Sequence, residues 1–177
     1  MKIEVWFDFY DEQSHLQIEA IDQLIKDYVI KDLDLLYRSY PMKDKVMDTT
    51  DFHRLSHLAK KYHTQHEFNL DLCREIKHHH MINSDLLLKV AKKNYLDTTT
   101  VQSVLSSDAY LENVESNYEN ALLKKIHKVP HIRIEGTIKL DGYQSKDALI
   151  RSLNLAKANL KTNEHCVGEH CGRKKTH

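Results

Sequence analysis

Ile3-Glu4-Val5-Trp6-Phe7-Asp8-Phe9 runs into Tyr10-Asp11-Glu12-Gln13-Ser14, and the change of period between these stretches decides the fold. Ile3, Val5, Phe7 and Phe9 alternate with Glu4, Trp6 and Asp8, which predicts a strand over residues 2–9. Beyond it, Leu16, Ile18, Ile21, Leu24, Ile25 and Tyr28 recur at steps of three and four, so residues 13–29 are expected as an amphipathic helix. Asp11 marks its start, and Ser14-x-x-Gln17 fits a capping box. Extended character returns over residues 33–40 and stops at Pro41. Strand, helix and strand in this order make a βαβ unit, whose crossover requires parallel strands.

Working outward, the pattern from residue 48 is helical without interruption by strands. Thr50-Asp51 is expected to cap a helix bearing Phe52, Leu55, Leu58, Ala59 and Tyr62. A second carries Phe68, Leu72, Cys73 and Ile76, and a third begins at Asn83-Ser84-Asp85. A fourth follows Thr99-Thr100, and a fifth spans residues 109–126. Such a run reads as an all-α insertion. Val129-Pro130-His131-Ile132-Arg133-Ile134, a Glu135-Gly136 turn and Thr137-Ile138-Lys139-Leu140 then predict a β-hairpin. Residues 145–160 form a last amphipathic helix, and residues 161–177 show no periodicity and read as a tail.

The element order is that of an α/β thioredoxin-like fold split by an all-α subdomain. The split domain is expected at residues 1–45 and 127–160, the insertion at 46–126, and a Cys/His-containing tail at 161–177. Residues 1–36 hold nine acids against three bases, and residues 122–161 hold nine bases against three acids. Opposite signs on the two halves favour their docking, although screened surface charges contribute little each.

Composition narrows the function. The 177 residues are 41% hydrophobic and 29% charged, which suits a compact protein and not a disordered one. With 26 basic against 26 acidic residues, no nucleic-acid footprint is expected. The four glycines all lie in the last third, so no glycine-rich nucleotide loop exists. The opening residues are too acidic for a signal peptide, and no stretch approaches the about 18 apolar residues of a membrane span, so a cytoplasmic protein without membrane contact is expected.

Four separated motifs resemble the DsbA family, specifically its FrnE-like branch of cytoplasmic thiol–disulfide oxidoreductases. Ile3-Glu4-Val5-Trp6-Phe7-Asp8-Phe9 looks like the family's first strand, and Asp51-Phe52-His53-Arg54-Leu55-Ser56-His57-Leu58-Ala59-Lys60 is similar to a helix of its inserted domain. Val129-Pro130 looks like its cis-proline loop, and Leu140-Asp141-Gly142-Tyr143-Gln144 resembles the turn before its last helix. The resemblance implies a protein disulfide oxidoreductase or isomerase that needs no cofactor and acts on unfolded or extended polypeptide, or on a partner protein. It also implies Cys-x-x-Cys after the first strand. Here those positions are Asp11-Glu12-Gln13-Ser14.

That departure is chemical. Thioredoxin-type exchange needs a thiolate at a helix N-terminus and a second thiol one turn on. Asp11 can cap the helix but cannot attack a disulfide, and Ser14 cannot resolve one. The site is therefore read as degenerate, with Val129 and Pro130 as candidate substrate-binding residues. The alternative is a non-catalytic peptide-binding or adaptor module using the Pro130 groove. A glutathione-type serine is a poorer match, because Ser14 lies about one turn too far along the helix.

Three cysteines remain to be placed. Cys73 falls on an apolar helix face and reads as a core residue. Cys166 and Cys171 form a C-x4-C pair flanked by His165 and His170. Basic neighbours favour thiolates, so the pair is a candidate redox site. An inert tail and a metal site drawing on His165, Cys166, His170 and Cys171 are the competing readings, although no metal is assigned. His53 and His57, four apart on one helix, are expected as solvated or capping residues, as is the His78-His79-His80 run.

Overall fold

The computed structural model describes residues 1–30, 32–42, 47–78 and 83–165. Four strands and seven helices follow one another as β1 (Lys2–Phe7), α1 (Glu12–Asp27), β2 (Asp34–Ser39), α2 (Thr50–Lys61), α3 (Gln65–His78), α4 (Ser84–Lys93), α5 (Thr98–Leu105), α6 (Leu111–Leu123), β3 (His131–Ile134), β4 (Ile138–Asp141) and α7 (Lys146–His165). The sheet order is β2-β1-β3-β4. β1 pairs parallel with β2, from Lys2 opposite Asp34 to Phe7 opposite Ser39, as the crossover demands. β3 runs antiparallel to both β1 and β4, placing Trp6 opposite His131.

β1 is an inner strand, and both of its faces are covered. Ile3, Val5 and Phe7 join Ile18, Leu24, Phe52, Leu55, Phe68 and Leu72 in one continuous core that reaches from the sheet into the helical insertion. The insertion thus shares its interior with the thioredoxin-like half. On the other face Trp6 is fully buried with Tyr40, Ala121 and Ile126, and Met42 and Val129 pack against this second cluster. The Lys124 ammonium and Arg133 guanidinium lie 5.3 and 5.9 Å from the Trp6 ring centre. The alternation in β1 therefore does not separate core from solvent: Glu4, Trp6 and Asp8 are all buried.

Arg54, on α2, fastens the end of α5 and the loop after it to α2. Its Nε donates to the Ala109 carbonyl at 2.8 Å, its NH1 to Asp51 at 2.7 Å, and its NH2 to the carbonyls of Val104 and Ser107. A guanidinium suits this end of α5, where several carbonyls lack partners within the helix. Across the chain termini, Lys146 Nζ sits 2.6 Å from Asp27, one contact between the basic and acidic halves. Asp27 is exposed and Lys146 partly so, and the pair adds little.

Several boundaries differ from the sequence reading. Ser14 does not cap α1. Asp11 does, and Ser14 lies inside the first turn. Gln17 is buried, and its side chain instead bonds the Gln144 main chain, far along the sequence. The residue before α2 is Thr49, whose hydroxyl is committed elsewhere, so Thr50-Asp51 is not a side-chain cap. α7 continues past Leu160 to His165. Leu16 and Leu155, counted on apolar faces, are 44% and 56% exposed.

With so few glycines, the chain ends helices with other residues in left-handed geometry. His63, Tyr95 and Lys125 have φ of 60°, 61° and 58°. Each is followed by an N–H that closes on a carbonyl five residues back: Thr64 on Ala59, Leu96 on Ala91, and Ile126 on Ala121. This closure favours glycine, because a β-carbon at positive φ costs about 1–2 kcal/mol. Tyr95 is 87% exposed and contributes little packing to offset that cost. Replacing Tyr95 by Gly is expected to stabilise the protein by about 0.5–1 kcal/mol, net of glycine's greater unfolded-state entropy. A higher midpoint in urea unfolding checks this, and an unchanged or lower one contradicts it.

Candidate functional site

The parallel β1 strand ends at Phe7, and the chain passes through Asp8, Phe9 and Tyr10 into α1. Asp11 is the N-cap: its Oδ2 accepts the Ser14 N–H at 2.7 Å and the Ser14 hydroxyl at 2.8 Å. The Asp8 N–H donates to Ser14 Oγ at 3.3 Å. Ser14 is sealed from solvent, whereas Asp11 is half-buried and Glu12 and Gln13 are exposed. The first position of the four-residue turn thus reaches solvent and the fourth is closed. Asp11 places a carboxylate at the positive end of the α1 dipole, a cap of about 1 kcal/mol.

Facing this turn is the loop before β3. The Val129–Pro130 peptide bond is cis, and the Pro130 carbonyl accepts the Gly142 N–H at 2.8 Å. Gly142 sits at φ 72°, and a β-carbon there would meet the Gln13 side chain at 3.6 Å. Gln17 ties α1 to the same region, its Oε1 accepting the Gln144 N–H at 2.6 Å. A groove of about 420 Å³ opens between these parts, lined by Gln13, Tyr40, Met42, Val129, Asp141 and Gly142 with His127 and Lys128 at its margin. Tyr10 and Tyr143, in the turns that flank it in sequence, are 40% and 44% exposed.

Behind the turn lies a polar cluster that the sequence did not reveal. Asp8 is 1% exposed. Its Oδ1 accepts the Thr49 hydroxyl at 2.6 Å and lies 3.4 Å from His53 Nε2, while its Oδ2 accepts the Met42 N–H at 3.1 Å. Burial pushes the Asp8 carboxyl up, but the hydrogen bonds and charge of His53, with Thr49 and the Met42 amide, outweigh it and hold the group below the usual carboxylate range. His53 is fully buried between Phe7 and Phe9, so it is neither solvated nor a cap. His57 is half-buried, and its Nε2 bonds Ser39 and Asn117 at 3.1 Å each. His15 meets the Phe9 carbonyl at 2.6 Å, and burial lowers its pKa. On the groove side, His131 Nδ1 lies 2.6 Å from Asp141 Oδ1.

Of the residues placed here from sequence, Val129 lines the groove with Gln13, Pro130 bonds Gly142 beside it, and Asp11 and Ser14 bond each other at the start of α1 without lining it. Cys73 is fully buried, and burial pushes its thiol far above the ordinary range, which leaves it unreactive at neutral pH. Cys166, His170 and Cys171 lie outside the described residues, and of His165 only its place at the end of α7 is described. Among the described residues no group of His, Cys, Asp and Glu could hold a metal ion, and no helix is long and apolar enough to cross a membrane.

Solved structures share this fold. A probable DsbA oxidoreductase from Streptomyces coelicolor superposes with a TM-score of 0.79 at 18% identity, over 89% of this chain and 90% of that one. The fold is DsbA-like. A putative protein disulfide isomerase from Nitrosomonas europaea follows with a TM-score of 0.72 at 13% identity, over 89% of this chain and 98% of that one. A thioredoxin-like oxidoreductase from Silicibacter pomeroyi gives 0.68 at 17% identity, over 89% and 86%. No family model matches the sequence, and no curated protein matches it. The DsbA-like scaffold is thus present over nearly nine-tenths of the chain, with a carboxylate and a sealed hydroxyl at the start of α1.

The Asp8 cluster makes a pH-dependent contribution to stability. Its folded pKa is lowered, so the unfolded chain binds the proton more readily. The contribution is complete above the ordinary carboxylate value of about 3.9 and is lost as pH falls through the folded value. Asp8→Asn is expected to cost about 1–3 kcal/mol near neutral pH. The variant should also lose stability less steeply than wild type as pH falls below about 4. Urea unfolding across that range measures both effects, and parallel curves for the two proteins would contradict the assignment.

Proposed function

We propose that this chain is a DsbA-type thiol–disulfide protein whose polypeptide groove outlives its dithiol. The groove beside Pro130 holds an extended segment of an unfolded or partner protein, and the α1 turn does not exchange disulfides. The observation that carries this reading is the Asp11–Ser14 turn. Its half-exposed first position and sealed fourth position suit a nucleophilic and a resolving thiol, yet it carries a carboxylate and a hydroxyl. Val129 and Gln13 border the groove, and in this reading their main chain meets an added strand, while the Gly142 N–H stays on the Pro130 carbonyl. Met42 and Tyr40 offer it an apolar wall.

Electron exchange, in this proposal, falls to Cys166 and Cys171. Cys73 is buried and holds its proton, so exchange is assigned to the other two cysteines of the sequence. The oxidoreductase scaffolds that superpose on the chain support a role in disulfide chemistry at the level of family.

An insulin-reduction assay separates the two halves of this reading. Cys166→Ser/Cys171→Ser is expected to abolish whatever turnover the wild type has. On that background Asp11→Cys/Ser14→Cys is expected to create turnover, because a thiol at Asp11 meets the positive end of α1 and one at Ser14 meets the Asp8 N–H. Activity unchanged in the first variant overturns the assignment to the tail cysteines. Inactivity of the second, when folded, overturns the groove. A thiol-free unfolded peptide should shift the amide resonances of Gln13, Val129 and Gly142, and unmoved resonances count equally against the groove.

A further inference from the structure

Away from the groove, β2, α2 and α6 border an open cleft of about 510 Å³ that no carboxylate among the described residues lines. Its walls carry Arg38, His57, Lys60, Lys61, His63 and Asn117. Their hydrogen bonds fix what the cleft presents. Arg38 is paired with the buried Glu4 through NH2 at 2.6 Å and Nε at 3.2 Å, so its charge is already matched. Its NH1 donates to Asn117 Oδ1 at 3.3 Å, and a guanidinium can only donate. This turns the Asn117 amide nitrogen towards His57, where it donates to Nε2 at 3.1 Å. Nε2 is then an acceptor, and the ring proton resides on Nδ1.

Burial and neighbouring cations lower the His57 pKa to about 4, so at neutral pH the ring is a fixed N–H donor without charge. Stacking on Tyr110, with ring planes 7° apart, holds its orientation. Among the described residues Nδ1 has no hydrogen-bond partner, yet it is not sealed from solvent. Lys60 and Lys61 supply the net charge: both are exposed, and neither ammonium meets a described carboxylate. Nor does the end of α2 claim them, since the N–H groups of Tyr62, His63 and Thr64 already close on the carbonyls of Ala59 and Lys60.

We infer that this cleft binds a small phosphate-bearing molecule. Two unmatched ammoniums and an oriented imidazole N–H suit a group with up to two charges and three acceptor oxygens, whereas a carboxylate offers one charge and two oxygens. The volume lies in the range of small-ligand sites and exceeds what phosphate alone fills.

The test titrates the full chain, labelled with ¹⁵N, with inorganic phosphate, O-phosphoserine and acetate at equal ionic strength. Phosphate and phosphoserine are expected to shift the resonances of His57, Tyr110 and Asn117, with acetate much weaker. Tighter binding of phosphoserine indicates an organic phosphate, and equal binding indicates the free ion. Lys60→Ala/Lys61→Ala should weaken binding about tenfold. Lys92→Ala/Lys93→Ala, an equal change of charge at the end of α4, should leave it unchanged. No shift in the wild type, acetate binding as well as phosphate, or equal weakening in both double variants overturns the inference.

Discussion

One buried carboxylate ties together three segments that lie far apart in the chain. Asp8 stands where β1 gives way to α1. Its side chain takes hydrogen bonds from the segment leaving β2 and from the residue that opens α2, with His53 against it. Its own amide reaches into the first turn of α1. A charge this deep is tolerated only when paired and fully hydrogen-bonded, so each partner is held in place by the others. The helical insertion is thereby fastened beneath the α1 turn, and the shape of the groove depends on a bond network lying behind it.

The elements themselves were legible because each has a local cause. Period-two alternation gave β1 and the hairpin, and three-and-four spacing gave every helix. The proline after Val129 marked the loop that faces α1. What escaped the sequence is pairing across long separations. Asp8 and His53 lie 45 residues apart, and Gln17 and Gln144 lie 127 apart, so no window contains both partners. His53 reads as a surface histidine because its helix alternates polar and apolar residues, and only the carboxylate opposite it makes burial affordable. Ser14 read as a cap for a related reason. The serine and the aspartate three residues before it both suit that position, and only the geometry shows the aspartate taking it while the serine turns inward.

The cleft bordered by β2, α2 and α6 shows the same limit from another side. Arg38, His57 and Asn117 come from three elements, and the chain of donors that orients the imidazole exists only once β2, α2 and α6 are assembled. Scarcity of glycine, in contrast, was countable from the outset. Its effect on the helix ends was not, since the sequence marks a missing glycine without saying which residue will take the left-handed position.

Trp6 lies immediately behind the groove. Met42 and Val129 line that groove and also pack against the cluster built around the indole, while His131 meets its edge with ring centres 5.7 Å apart. It is the sole tryptophan of the chain. The molecule thus carries a native optical reporter: its emission comes from one water-excluded site, and an occupant that displaces Met42 or Val129 changes the colour and yield of that light without any attached label.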